Sequence, residues 1–200
     1  MNTWLLHRTA KPVVFLLALA PFAWLLARAL SDQLGANPQE ALIRGLGDWA
    51  LRFMCLVLAV TPCRVVFGLP PLARFRRMLG LFAFFYGLLH LLAYAVFDME
   101  LVWSDILRDI AKRPFILVGT LTLLLMLPLA ATSFNRAIRW LGAARWQRLH
   151  RLAYVAGLTM LLHFFWMRAG KNNFAEVFVY AGIVGVLLGW RVWRWRRGAP

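Results

Sequence analysis

The sequence predicts an all-α integral membrane protein: a bundle of six transmembrane helices with both termini on the cytoplasmic side. Three observations predict it. The 200-residue chain is 62% hydrophobic with a mean hydropathy of +0.67, whereas a soluble domain is nearer half apolar. The excess is gathered into six blocks, each near the ~20 residues that cross ~30 Å of hydrocarbon. Charges of opposite sign, finally, are sorted into alternate connections between those blocks.

In chain order the blocks run over 12–29, 47–67, 78–97, 114–133, 151–168 and 174–192. Arg8 and Lys11 precede the first, and its Ala27-Arg28-Ala29 has the form of a signal-peptide cleavage site. Trp24 and the bulky Leu25-Leu26 suit a retained anchor better. The second block contains Arg52 just inside its outer end. Pro12 and Pro114 stand at helix starts, where a missing N–H costs nothing. Connection 98–113 places Leu101, Ile106, Leu107 and Ile110 among charges, which fits a short interfacial helix, either a partner surface or a plain amphipathic connector. The fifth and sixth blocks are short between charges and need snorkelling end residues. No connection is long enough for a soluble domain, so residues 1–200 read as one membrane domain.

Arginines fill the second and fourth connections: Arg64, Arg74, Arg76 and Arg77, then Arg136, Arg139, Arg145, Arg148 and Arg151. Arg191, Arg194, Arg196 and Arg197 close the chain. The acids Asp32, Glu40, Asp48, Asp98, Glu100, Asp105, Asp109 and Glu176 belong to the first, third and fifth connections. Lys and Arg are retained on the cytoplasmic side, which puts both termini inside and those three connections outside. A net charge of +15 would otherwise suggest nucleic acid. Here the basic residues flank apolar spans, so lipid head groups are the fitting partner.

Cys55 and Cys63 are the only cysteines, and no CxxC or Cys/His cluster supports zinc or an iron–sulfur centre. Histidine is more informative, because ionisable groups inside a bilayer are costly and mark function. His90 lies within LGLFAFFYGLLHLLAYAVF, and His150 and His163 lie on WQRLHRLAYVAGLTMLLHFFW. Blocks three and five both run outward. His90 lies seven residues before Phe97 and His163 five before Arg168, so both sit roughly 8–10 Å below the outer boundary at ~1.5 Å per residue. Two imidazoles at matched depth on two helices are the axial ligand set of a six-coordinate heme iron, an arrangement suited to electron transfer. Small residues beside each ligand leave room for a porphyrin: Ala83 and Gly87 before His90, Ala156 and Thr159 before His163. Thr159 is placed to accept the second imidazole N–H and fix the tautomer. Arg52 has the depth to pair with a heme propionate, against a plain snorkelling role.

His150 is different. On an uninterrupted helix it lies ~20 Å from His163 and about 140° around the axis. It reads either as ligand to a second, inner heme or other cofactor, or as an interfacial histidine. A second ligand on the other helix would fall at Arg76 or Arg77, which are poor iron ligands. Arg74, Arg76, Arg77, Arg145, Arg148 and Arg151 bracket the histidine helices at their cytoplasmic ends. They suit lipid head groups, a flavin phosphate or an acidic donor. With no GxGxxG and no room for a nucleotide domain, the chain does not take hydride from a nicotinamide itself. Electrons therefore come from membrane quinol or from a bound flavin reduced by another protein, and leave to an external acceptor.

RRMLGL at 76–81, FYGLLHLLAY at 85–94, WQRLHRLAYVAGLTMLLHFFW and TPCR at 61–64 together resemble the MsrQ (YedZ) family within the ferric reductase-like transmembrane superfamily. The likeness covers nearly the whole chain. It implies b-type heme, one or two, with His90 and His163 as ligands and His150 as the third family histidine. It also implies FMN and a bacterial inner-membrane location. Electrons would come from the quinone pool or a cytosolic flavin reductase. They would pass to a periplasmic molybdopterin subunit, forming a heterodimer that repairs methionine sulfoxide; the reductase chemistry lies on that partner. Arg76 and Arg77 stand where many members of the superfamily have a fourth histidine. Two competing readings are a stand-alone ferric or metal reductase and, in another class, a small proton-coupled transporter.

Overall fold

A computed structural model describes residues 3–170 and 172–198. Among them the chain is helical throughout, with no strand, as the apolar blocks predict. Six segments are long and apolar enough to cross a membrane: Ala10–Leu30, Pro38–Val66, Pro70–Asp98, Pro114–Ala131, Ala143–Ala169 and Ala175–Arg196. Without water in the hydrocarbon, backbone groups must be satisfied within the chain, which helices do locally. The chain divides into two compact units, Met1–Leu107 and Arg108–Pro200.

The first unit contains α1 (Thr3–Leu6), α2 (Ala10–Leu30), α3 (Pro38–Val66), a 3-10 turn (Pro70–Phe75), α4 (Arg76–Ala93) and a π-helical turn (Tyr94–Asp98). The helix α3 begins nine residues before the apolar block suggests. Asn37 caps it: its Oδ1 accepts from the Glu40 N–H at 3.2 Å, and Pro38 takes the first position, which suits proline. Arg44 pairs with Glu40 one turn on, so a polar first third is held helical. The principal packing is α3 on α4, burying Leu46, Ala50, Leu51, Leu58, Ala83 and Tyr86. The first apolar block is packed as well. The Tyr86 hydroxyl donates to the Ala18 carbonyl at 2.8 Å and accepts the Phe22 N–H at 2.9 Å. It thus stands inside the backbone ladder of α2, beside Pro21.

The amphipathic helix expected in connection 98–113 is α5 (Trp103–Lys112), with Ile106 buried and Trp103 and Leu107 exposed. The second unit holds α6 (Pro114–Ala131), α7 (Asn135–Leu141), α8 (Ala143–His150), α9 (Leu152–Ala169) and α10 (Ala175–Arg196). Pro114 opens α6 as its sequence position predicts. Gly142, at φ 77° and ψ 151°, separates α7 from α8 in a conformation that glycine adopts without strain. The main contact here is α6 on α9, burying Ile116, Thr122, Met126, Ala156, Gly157 and Met160. Val177 and Val184 anchor α10.

The Trp146–Trp166 stretch is not one uninterrupted helix. The Tyr154 N–H reaches the Arg151 carbonyl and the Arg151 N–H the Arg148 carbonyl, three residues back in each case. This tightened step puts His150 at the end of α8 and His163 on α9. The 140° phase expected between them assumes a continuous helix, and this step falls within that interval.

Candidate functional site

His90 lies on α4, half-buried, one turn before the helix widens at Tyr94. Its Nδ1–H donates to the backbone carbonyl of Ile43 on α3 at 2.8 Å. The ring lies against Gly47, also on α3: a Cβ there would stand 3.0 Å from Nδ1 and 3.2 Å from Cε1. Ile43 and Gly47 are one turn apart, so carbonyl and glycine form a single notch on the α3 surface. A carbonyl already engaged by its own helix retains a second lone pair for the imidazole.

His163 repeats this arrangement in the other unit. Its Nδ1–H donates to the Phe115 carbonyl on α6 at 2.6 Å. The ring lies on Gly119, where a Cβ would stand 2.8 Å from Nδ1 and 2.9 Å from Cε1. Phe115 and Gly119 are again one turn apart. The resemblance extends along the two histidine-bearing helices, because Ala83 and Ala156, each seven residues before its histidine, are both completely buried. An imidazole whose Nδ1 carries the proton toward a carbonyl presents Nε2 as its basic, ligating nitrogen. Ring orientation and tautomer are thus set twice, by the same local device.

Thr159 is not the acceptor that the sequence suggests for the His163 N–H. That place belongs to Phe115, while the Thr159 hydroxyl lies 2.8 Å from that of Thr122 and 3.1 Å from the Val155 carbonyl. Gly87 is half-buried on α4, and it is Gly47 of the neighbouring helix that meets the His90 ring. The Arg52 guanidinium stands 4.7 Å over the Trp49 ring, a partly buried cation–π contact.

His150 has a different setting. It stacks on Trp146 with ring centroids 3.7 Å apart, and its Nδ1 meets the Trp146 carbonyl of its own helix at 3.0 Å. Trp146 is tied in turn to the Thr132 carbonyl through Nε1 at 2.9 Å. Of the basic residues, Arg74 donates to the Leu5 carbonyl at 2.8 Å, Arg77 is half-buried, and Arg76, Arg145, Arg148 and Arg151 are exposed. Both cysteines are free thiols, Cys55 buried and Cys63 half-buried. Among the described residues no group of three or more His, Cys, Asp or Glu side chains is placed to hold a bare metal ion.

Residues 46–161, more than half the chain, match the family described as "Ferric reductase like transmembrane component". The protein-methionine-sulfoxide reductase heme-binding subunit MsrQ of Polaromonas naphthalenivorans is 67% identical over 95% of this chain and 87% of its own length. The chain belongs to the MsrQ family. The MsrQ subunit of Ralstonia nicotianae is 51% identical over 96% of this chain and 88% of its own length. The magnetosome protein MamZ of Magnetospirillum gryphiswaldense is 44% identical over 94% of this chain but only 30% of its own length. No solved structure matches the chain.

Sequence reasoning missed Ile43, Gly47, Phe115 and Gly119. One signal was available: donor and acceptor are 47 residues apart for His90 and 48 for His163. Each histidine thus follows a glycine on the preceding span at nearly the same interval.

Proposed function

We propose that the chain is the electron-transfer membrane subunit of a protein-methionine-sulfoxide reductase system, holding b-type heme through His90 and His163. The observation that carries this reading is the repeated anchoring of the two histidines by backbone carbonyls. Metal-ligating histidines characteristically donate their other N–H to a carbonyl or carboxylate, which raises basicity and orients the ring. The residues fit heme for that reason: each imidazole holds its proton at Nδ1 and would leave Nε2 to ligate the iron. Bound heme supplies a one-electron carrier with no open coordination position. The chain's own part is to orient the two imidazoles and to exclude water with the apolar faces of α4 and α9. Arg52 is the candidate counter-charge for a propionate. His150 remains a candidate for a second cofactor, with Trp146 fixing its plane. Gly87 supplies space near His90.

The remaining assignments rest on family membership and topology. FMN and the quinone pool or a cytosolic flavin reductase stand on the donor side. The exposed guanidinium groups of Arg76, Arg145, Arg148 and Arg151 suit phosphate, as does Arg77; Arg74 is the least suited, being turned to Leu5. The acceptor is a periplasmic molybdopterin reductase, and the membrane is the bacterial inner membrane.

A reduced-minus-oxidised optical spectrum of the purified protein tests the reading, since absence of a b-type signal would refute it. His90→Ala and His163→Ala should each lose most of the heme. Full retention in both would remove them as ligands. The family description favours one second reading, a ferric reductase working alone. Rapid ferric reduction by the isolated subunit, without a molybdenum partner, would support it.

A further inference from the structure

We infer that Gly47 and Gly119 are positioning residues for the heme, acting through His90 and His163 as seats that set the plane of each axial imidazole. The inference rests on the heme-ligand reading above and deepens it. Its basis is the closeness of each ring to a glycine on the helix that supplies its carbonyl. At Gly47 a methyl group would reach within 3.0 Å of Nδ1, and at Gly119 within 2.8 Å. Such distances leave no room for a Cβ unless the ring moves. The ring is not free to slide, because its Nδ1–H is held by a carbonyl one turn earlier on that helix at 2.8 Å or 2.6 Å. Any side chain at the seat must therefore tilt the imidazole, lengthen the Nδ1–H bond, or push the two helices apart.

Glycine is required here for a reason other than backbone freedom. Neither position has the positive φ that favours glycine elsewhere in the chain. Both lie inside regular helix, where glycine costs about 1 kcal/mol relative to alanine. That cost is accepted at two places that differ in surrounding sequence but share one feature, contact with a half-buried imidazole. Gly182, Gly185 and Gly189 on α10 have nothing within 4 Å of a built Cβ, so helical glycine in this protein does not by itself imply a seat. Gly45 is a third kind: it accommodates the flexible end of Leu25, which yields at little cost.

The test compares Gly47→Ala and Gly119→Ala with Gly182→Ala and Gly185→Ala in the full-length, heme-loaded protein. Heme content, the low-spin electron paramagnetic resonance signature and the midpoint potential are the readouts. Seat variants should lose heme affinity by about 10–100-fold, as loss of an outer-shell partner does, or shift the low-spin signature and potential of the heme they keep. The α10 variants should behave as the parent. Added imidazole should restore a low-spin spectrum in a seat variant whose iron has lost one ligand; general misfolding would not respond. Unchanged heme content, signature and potential in both seat variants would overturn the inference, and it would do so without touching the ligand reading if His90→Ala and His163→Ala still lose heme. Should a seat variant fail to accumulate, the parent protein decides. Redox-difference infrared spectra with 15N at histidine Nδ1 should show that nitrogen protonated, and coordination through Nδ1 would overturn the inference.

Discussion

The Thr122 and Thr159 hydroxyls lie 2.8 Å apart between α6 and α9, each also within reach of a carbonyl of its own helix. Thr122 is buried, so removing either hydroxyl takes a polar contact out of an apolar interface. Interhelical side-chain bonds in membranes average about 0.6 kcal/mol, because the separated helices also find partners. Thr122→Val and Thr159→Val should therefore each destabilise the protein by about that amount, with the double variant little worse than either alone. Thermal denaturation in detergent measures the cycle, and the heme spectrum should stay the same in all three. A loss of heme confined to Thr159→Val would return that residue to the role its sequence position suggests. The case shows which part of the site can be read from the chain. A histidine within an apolar run is visible because its type is out of place. Its acceptor is a backbone carbonyl, which every residue has, so nothing in the letters at Ile43 or Phe115 distinguishes them. The nearest hydroxyl on the same helix is the natural guess, and tertiary packing overrides it.

Among the elements, the six spans were legible because membrane helices must be continuous and apolar. Their ends were less so. Helix α3 starts at Pro38 and carries Glu40, Arg44 and Asp48 in its first three turns or so. These charges look like a connection but are kept helical by the Asn37 cap and the Arg44–Glu40 pair. The glycine seat Gly47 falls at this polar-to-apolar border. The step at Arg151 was hidden for the opposite reason, since charged and apolar residues there both continue a helical pattern. Helix α2 offers a test at this scale. Tyr86 is completely buried, and its hydroxyl joins the Ala18 carbonyl to the Phe22 N–H. Phenylalanine at this site would keep the ring stacked on Phe53, now 5.2 Å between centroids, and lose only the bridge. Tyr86→Phe should cost about 1 kcal/mol, the net worth of a typical hydrogen bond. It should also open the 31–37 connection to protease before the rest of the first unit unfolds. Equal resistance of variant and parent would mean that α2 is held by its apolar contacts alone.

At the scale of the whole molecule the decisive quantity is orientation, which rests on charge. Arg64 is in the last turn of α3, Arg74 in the 3-10 turn and Arg76 and Arg77 at the start of α4, while Arg136, Arg139, Arg145, Arg148 and Arg151 lie between α6 and α9. Short connections rich in Lys and Arg are retained on the cytoplasmic side, whereas Asp and Glu contribute little to orientation. The opposite connections carry mixed or acidic charge. Alkaline phosphatase fused after residue 36, 102 or 172 should therefore be active, and fusions after residue 68, 142 or 198 should be inactive. A fluorescent protein that folds only in the cytoplasm should give the converse pattern. The result bears directly on function. His90 is in the last turns of α4, and His163 is five residues before Arg168 near the end of α9. If the termini are inside, each imidazole lies toward the outer end of its own helix, as delivery to an external acceptor requires. Active phosphatase at the C-terminus would turn the same histidines toward the cytoplasm, and delivery to a periplasmic reductase would then have to be abandoned even if every heme assignment survived.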